Sequence, residues 1–394
     1  MRSSGSPTAV RPAVSGAERR LSVALWCAGL AAFSLMYAPQ GLLTEIVRDT
    51  GLDASRVSLL VSASTLGLAA SVLPWAWLSD RIGRRTAMRV AAAGATVTAV
   101  AVPWLPTFDA LLAGRFLQGV ALGGIPALAI ALVHETAPAA RTAAAAGRYV
   151  AATSLGGLSG RLVVVPLAQQ LGWRWSLMAL AAACAVLMIV MAAALPPSPH
   201  PSRRDDPGGS TLAHLRDPGM LALFAIGSTL IGGMVAVFNY LPFRLEAPPY
   251  ALSPTVVSLI FFAYLGGTAG SRAAGRLTRR LGAVPVLTLG CLLLAGGAAA
   301  TIAAPLPVVA FGVVALTAGL FLGHAVATHL VAARADRGRA QAGALYNISY
   351  YAGSSVFGWL GGLMWLSAGW VGVAAMVVGL GTVALWLTLR VRAT

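Results

Sequence analysis

Leu78-Ser79-Asp80-Arg81-Ile82-Gly83-Arg84-Arg85 breaks the chain between one long apolar run and the next. Its charges cannot lie in hydrocarbon, where an Arg or Asp at a helix centre costs roughly 2.5–3.5 kcal/mol. The stretch therefore reads as a tight turn at a membrane face. Gly83 can take a positive φ there, and Asp80 can accept hydrogen bonds from a neighbouring helix N-terminus or an arginine fork. A degraded copy, Gly275-Arg276-Leu277-Thr278-Arg279-Arg280-Leu281-Gly282, recurs about 200 residues later between two further apolar runs. It has Arg279 in place of Asp80, which predicts a weaker clasp in the second half of the chain.

Composition agrees with a bilayer. The chain is 58% hydrophobic and only 10% charged, with a mean hydropathy of +0.78, against about 25% charged in a soluble domain. All 28 basic residues are Arg, and the net charge is +16. These arginines are spread over the loops and leave no basic face for nucleic acid. Cys27, Cys184 and Cys291 fall inside apolar runs at scattered spacings, which suggests neither a metal site nor a disulfide framework. The first apolar run is too long for a signal peptide and lacks a small-residue cleavage site, so it is expected to stay.

A spanning helix needs about 20 mostly apolar residues. Twelve runs qualify: Leu21–Leu43, Ser55–Leu78, Thr86–Pro106, Phe108–Val133, Thr142–Ala168, Arg174–Leu195, Gly219–Leu241, Ser253–Gly275, Ala283–Ala304, Leu306–Ala332, Ala340–Met364 and Ala368–Leu389. An even number puts both termini on one side. That side carries 22 of the 28 arginines, while Arg48, Arg56, Arg174 and Arg244 lie opposite and Arg115 and Arg161 lie within runs. The bias predicts cytoplasmic termini. Pro196–Asp217, with its Pro-Pro, Arg-Arg-Asp-Asp and Pro-Gly-Gly, has the composition of an exposed linker. The expected organisation is a cytoplasmic tail (1–20), a six-helix half (21–195), a cytoplasmic linker (196–217) and a second six-helix half (218–394). Arg141 with Gly160 and Arg339 with Gly358, at equal spacing, echo each other across the halves.

The opening turn resembles the signature loop between helices 2 and 3 of the major facilitator superfamily, loosely G-x-x-x-D-R-x-G-R-R. Asp80, Arg81, Gly83, Arg84 and Arg85 match, and Ala76 stands at the first glycine. The resemblance implies an all-α membrane protein of twelve transmembrane helices in two six-helix pseudo-repeats, both termini cytoplasmic, with a substrate cavity between the halves. Leu111-Leu112-Ala113-Gly114-Arg115-Phe116-Leu117-Gln118-Gly119 is similar to the family's helix 4 motif, R-x-x-Q-G, whose Arg is associated with proton coupling or substrate binding; Arg115, Gln118 and Gly119 match. Ser154-Leu155-Gly156-Gly157-Leu158-Ser159-Gly160-Arg161 shares the glycines of the helix 5 motif of drug/proton antiporters and lacks its proline. The run from Gly156 to Leu162, Gly172-Trp173-Arg174-Trp175, Asn239-Tyr240-Leu241-Pro242-Phe243-Arg244-Leu245 and Tyr264-Leu265-Gly266-Gly267-Thr268 resemble the YnfM-like branch of bacterial sugar and drug efflux permeases.

Two arginines lie within apolar runs. Arg115 and Arg161 each need a cavity or a partner and are functional candidates, and Arg115 is otherwise a structural side chain bonded to helix ends. Together, with no acid mid-run, they predict a positive cavity suited to an anionic group, unless Glu45 or Asp109 neutralises one of them. Gly156 and Gly160 form a small-xxx-small pair for close helix approach. His324 and His329 are five residues apart, about 140° around a helix, and do not suit one metal; His324 is either a proton carrier or a packing residue. His134 and Glu135 are expected to clasp Arg141 or the Asp80 turn. Asn239, Tyr240, Asn347 and Tyr351 are cavity candidates, and Asn347 and Tyr351 share a helix face. Trp75, Trp77, Trp104, Trp359, Trp365 and Trp370 read as interface anchors. No nucleophile, metal cluster or cofactor motif appears, so an enzyme is not expected.

The expected protein is a monomeric, multi-pass secondary transporter of the bacterial inner membrane, handling a small molecule without cofactor or metal. Proton-coupled export of a drug, sugar or organic anion follows from the resemblance. Uptake or facilitated transport of an organic anion or sugar is the alternative. A non-transporting membrane sensor of the same fold would be expected to have lost the polar cavity residues.

Overall fold

A computed structural model describes residues 16–137, 141–197 and 209–392, and all regular structure among them is helical. In chain order the helices are α1 (Gly16–Gly41), α2 (Leu43–Thr50), α3 (Ala54–Ile82), α4 (Arg84–Ala101), α5 (Phe108–Thr136), α6 (Thr142–Leu171), α7 (Trp173–Ala194), α8 (Gly209–Arg216), α9 (Pro218–Glu246), α10 (Pro254–Ser258), α11 (Ala263–Leu281), α12 (Ala283–Ala300), α13 (Leu306–Arg334) and α14 (Arg339–Arg392). The 54 residues of α14 are two spans, because Ala368 (φ −142°, ψ 17°) and Gly369 (φ 57°, ψ −146°) leave the helical region. The short α10 runs through a 3₁₀ turn into α11. Twelve spans result, at the twelve apolar runs. The end of the bundle holding Gly16 and Arg392 is called here the termini end, and the opposite one the far end.

The repeat is written in the backbone. Gly83 (φ 82°, ψ 147°) turns α3 into α4, and Gly282 (φ 88°, ψ 161°) turns α11 into α12 with nearly the same dihedrals. A positive φ with extended ψ is open essentially to glycine alone. The residues lost between the two copies of the turn are therefore its charges, not its shape.

Because the helices are apolar nearly all round, burial and not hydropathy tells their faces apart. On α7, Ser176, Leu180, Cys184, Met188 and Met191 are buried, while Val186 and Ile189 stand exposed on the side that lipid would cover. Where helices meet, small residues set the distance. A Cβ on Gly160 would lie 2.6 Å from Ser34 Cα, and Ser34 Oγ donates to the Gly156 carbonyl at 3.0 Å. The close approach expected of Gly156 and Gly160 is thus to α1.

Two boundaries differ from the sequence reading. The expected tail 1–20 loses its last residues to α1, which starts at Gly16 with Glu18 in its first turn, where the helix dipole favours an acid; residues 1–15 lie outside the described residues. In the expected linker 196–217, residues 198–208 lie outside the described residues and 209–216 form α8, with His214 against the Gly338 carbonyl.

Asp217 caps α9 by accepting from the amides of Gly219 (2.8 Å) and Met220 (3.3 Å). The Arg334 fork binds the same carboxylate at 2.6 and 2.9 Å. The fork, helped by the two amides and opposed by partial burial, holds Asp217 below its usual pKa. The folded value lies below the unfolded one, so the carboxylate stabilises fully above the ordinary Asp range, near 3.9, and its contribution is lost as pH falls through the lowered value. Asp217→Asn should lower the melting temperature at neutral pH and flatten its fall under acid. Parallel acid melting curves for the two proteins would show that this pair is not part of the acid response.

Candidate transport site

The two halves are joined by a chain of amides around one arginine. Gln40, near the end of α1, accepts from Arg161 Nε of α6 at 2.7 Å and donates to Asn239 Oδ1 of α9 at 2.5 Å. A guanidinium has donors only, so it fixes which way the Gln40 amide points; that in turn leaves Asn239 its oxygen for Gln40 and its Nδ2 without a partner. Arg161 and Asn239 are both 0% exposed. Arg161 Nη1 donates to the Gly157 carbonyl at 2.5 Å, whereas Nη2 makes no close hydrogen bond, the Tyr264 phenol being the polar side chain beside the guanidinium. The guanidinium carbon sits over the rings of Tyr37 (4.3 Å), Tyr264 (4.9 Å) and Phe261 (5.3 Å), which replace part of its lost hydration. Ten residues of α6 separate Arg161 from Leu171, placing it about 15 Å in from the far end.

Arg115, which sequence could not separate from Arg161, has a different setting. It is 3% exposed, and its guanidinium donates to the carbonyls of Leu60 (3.0 Å), Leu35 (3.2 Å) and Met36 (2.6 Å) and to Gln118 Oε1. The Leu35 carbonyl is free because Pro39, four residues on, has no N–H to give it. Arg115 thus ties α5 to α1 and α3, with Gln118 completing its shell. Neither acid proposed to neutralise these arginines does so here. Glu45 pairs with Arg48 at 3.0 Å, and Asp109 lies 3.5 Å from Arg56 at the surface.

Towards the far end the halves are tied by small polar contacts. Thr65 Oγ1 lies 2.7 Å from Ser355 Oγ, Ser62 Oγ donates to the Ser355 carbonyl at 3.0 Å, and Ser355 Oγ donates to the Ser62 carbonyl at 2.9 Å. Thr44 donates to Glu246 at 2.9 Å, and Arg48 pairs with the same carboxylate. Tyr240, expected in the cavity, belongs to this closure instead: it is fully buried and donates to Ser58 Oγ at 2.6 Å, with the Gly358 carbonyl at 3.1 Å.

The remaining candidates gather in the second half. His324 Nδ1 is 2.9 Å from the Tyr346 hydroxyl, and its ring lies 4.6 Å from that of Tyr350. Tyr350 meets the ring of Tyr351 at 5.3 Å, and Tyr351 is in electrostatic range of Tyr37. An aromatic path thus leads from His324 toward the Arg161 cage. Asn347 is exposed, unlike its helix-face partner Tyr351, which is buried.

At the termini end the expected clasp is rearranged. Asp80 has a side chain 63% exposed and only reaches Arg84 at 3.9 Å. Arg84 pairs instead with Glu135 of α5, and Arg141 with Glu18, so Glu135 serves the turn through its arginine. Arg81 packs over the exposed Trp77 at 3.7 Å, Arg85 is partly buried, and Gly83 makes the corner. In the second half, Ala283 follows Gly282 where Arg84 follows Gly83, and Arg334 stands 199 positions after Glu135. The pair is not merely weakened there: Arg334 has been turned to Asp217. Of the tryptophans read as anchors, Trp75 and Trp370 are buried and donate to the carbonyls of Val120 (2.7 Å) and Thr301 (2.9 Å).

Gln40, Glu246 and the Ser62, Thr65 and Ser355 contacts were not singled out from sequence. Gln40 directly follows Pro39 at the end of an apolar run and reads as a helix end; Glu246 precedes Ala247-Pro248-Pro249 and reads as a loop acid. Serines and threonines in spans satisfy their own helix carbonyls so readily that spacing alone does not mark a contact.

The Major Facilitator Superfamily profile matches residues 23–331. The chain is 36% identical over 374 residues to the uncharacterized MFS-type transporter YybF of Bacillus subtilis (strain 168), covering 94% of this chain and 93% of that one. It is 34% identical over 378 residues to the inner membrane transport protein YnfM of Escherichia coli (strain K12), covering 95% and 90%. Among solved structures, a mutant form of the nucleoside transporter NupG superposes with a TM-score of 0.76 at 15% identity, covering 94% of this chain and 99% of that chain, a likeness of fold.

Proposed function

Since this chain belongs to the Major Facilitator Superfamily, and is a multi-pass membrane transporter and not an enzyme, we propose that it exports a small organic molecule by proton-coupled alternating access. In this reading the termini end is cytoplasmic, the halves 21–195 and 218–394 rock about the Arg161 site, and the ties at the far end close the outward path. The observation that carries the reading is the Arg161–Gln40–Asn239 chain, a cross-half link beside an aromatic cage with donors left over. Substrate entering from the cytoplasm binds Arg161 and Asn239 on either side of Gln40, loosens the link and lets the far end open. The Asp80–Arg85 turn then helps close the termini end. His324 is the proton carrier, set within a span against aromatics that continue toward the site. One copy suffices, because each chain holds both halves and the residues that link them.

The test is proton movement in proteoliposomes loaded with a pH-sensitive dye and challenged with organic anions, sugars and cationic drugs. Wild-type protein should show substrate-dependent proton flux, Arg161→Gln should lose it with its substrate, and His324→Gln should move substrate with proton flux reduced at least about tenfold. Substrate movement without proton flux in the wild-type protein would replace this reading with facilitated or otherwise coupled uptake.

A further inference from the structure

Arg161 is fully buried, and among the described residues no carboxylate pairs with it. Its Nη2 and the Nδ2 of Asn239 are buried donors without acceptors, held on either side of the Gln40 amide that bonds both residues. Every other nitrogen of that guanidinium is satisfied, Nε by Gln40 and Nη1 by Gly157. Arg115, the comparable cation, has each of its three nitrogens bonded to a carbonyl. A positive charge kept in a low dielectric with one nitrogen making no close hydrogen bond attracts an acceptor that brings negative charge. The wall around it is aromatic, from Tyr37, Phe261 and Tyr264.

From this arrangement we propose that the site takes an organic anion: a carboxylate on an aromatic or otherwise apolar body, its oxygen accepting from Arg161 Nη2 and its polar substituent or second oxygen from Asn239 Nδ2. This rests on the transport reading above and narrows its substrate class. The carboxylate supplies the counter-charge that Arg161 lacks, and the rings of the cage pack on the body. A neutral sugar would satisfy the donors and leave the charge uncompensated. An organic cation would be repelled.

Benzoate and its neutral isostere benzamide are the probes, with binding to the purified full chain in detergent followed by thermal shift. Benzoate should raise the melting temperature and benzamide should not. Arg161→Gln should weaken benzoate binding at least about tenfold. Gln40→Glu places a carboxylate where Gln40 Oε1 now accepts from Arg161, and its other oxygen, which cannot donate to Asn239 Oδ1, takes Asn239 Nδ2 once that amide turns over. The variant should melt no lower than wild type and should no longer respond to benzoate. This second variant keeps the test sharp if Arg161→Gln folds poorly. Equal shifts by benzamide or by chloride would overturn the proposal, as would a benzoate response retained in Gln40→Glu or absent from the wild-type protein. The measurement uses no gradient, so it is independent of direction and proton coupling. Benzoate binding without proton flux would keep this site and remove antiport; proton flux driven only by neutral or cationic substrates would do the reverse.

Discussion

Gly362→Ala is expected to hold the two halves apart at the far end. A Cβ at Gly362 would lie 2.5 Å from Ser55 Oγ, 2.5 Å from the Tyr240 hydroxyl and 2.6 Å from Ser55 Cα. The first two could turn aside, but Ser55 Cα is backbone of α3, and it moves only if α3 separates from α14. The interface has little energy to resist this. Around α3 its ties are neutral hydrogen bonds among Ser58, Ser62, Thr65, Tyr240 and Ser355, each contributing about 1 kcal/mol net. The ion pair of Arg48 with Glu246 has its arginine half exposed at the rim, where such pairs contribute about 0–1 kcal/mol. Overpacking costs about 1–3 kcal/mol, and about 1.4 kcal/mol changes a two-state ratio tenfold. The population should therefore shift roughly five- to hundredfold toward the far-end-open state, with transport falling at least about tenfold and the fold intact. Spin labels at Arg56→Cys and Ser367→Cys, both exposed at the far end on opposite halves, would read the change as a longer distance in a background without the native cysteines. Gly358→Ala is the internal control, since its nearest neighbours lie at 3.1–3.4 Å and include movable side chains. An unchanged label distance in Gly362→Ala would mean the closure tolerates the methyl group.

What the sequence made legible follows from the cost of polarity in hydrocarbon. Spans, turns and the two-half repeat were readable because charges are costly and so rare between the ends of a run, and because Gly83 and Gly282 mark equivalent corners. The role of each intramembrane arginine was not. Arg115 and Arg161 are both lone cations in apolar runs, and what separates them is which carbonyls their neighbours leave free. One part of that was encoded: Pro39 withholds an N–H from Leu35, and Arg115 takes the carbonyl. Reading it required knowing that the first and fourth spans touch. Likewise Tyr240 looks like a cavity residue from its position beside Asn239, yet successive residues on a helix point about 100° apart. Asn239 faces Gln40 and Tyr240 faces Ser58. The charge clasp was legible in part: Glu135 was expected against Arg141 or the Asp80 turn, and it pairs with Arg84 of that turn. The part not legible was Asp80, which lies in the last turn of α3 while Arg84 opens α4 across the Gly83 corner, so the two reach each other only at 3.9 Å and Asp80 stays exposed.

Arg115→Lys is expected to damage the fold and leave the coupling mechanism untouched. The guanidinium reaches three carbonyls on two helices at once, those of Leu35 and Met36 on α1 and Leu60 on α3. A lysine keeps the charge but offers one compact ammonium, which cannot span that separation. At least one buried carbonyl would lose its donor, a loss of about 1–3 kcal/mol, in addition to a charge-assisted bond of about 1.5–3 kcal/mol. The variant should therefore lose on the order of 3 kcal/mol of stability, visible as a lower melting temperature in detergent and less protein in the membrane. The protein that does fold should move protons and substrate in the wild-type ratio and bind benzoate as tightly as before. Arg161→Gln should behave in the opposite way, with the anion response lost out of proportion to any change in melting. If Arg115→Lys instead melted like wild type and uncoupled proton from substrate, Arg115 would be the coupling residue that its motif suggests. The three carbonyl bonds would then describe only the far-end-closed state, and the carbonyls of α1 would be what a moving proton or substrate displaces.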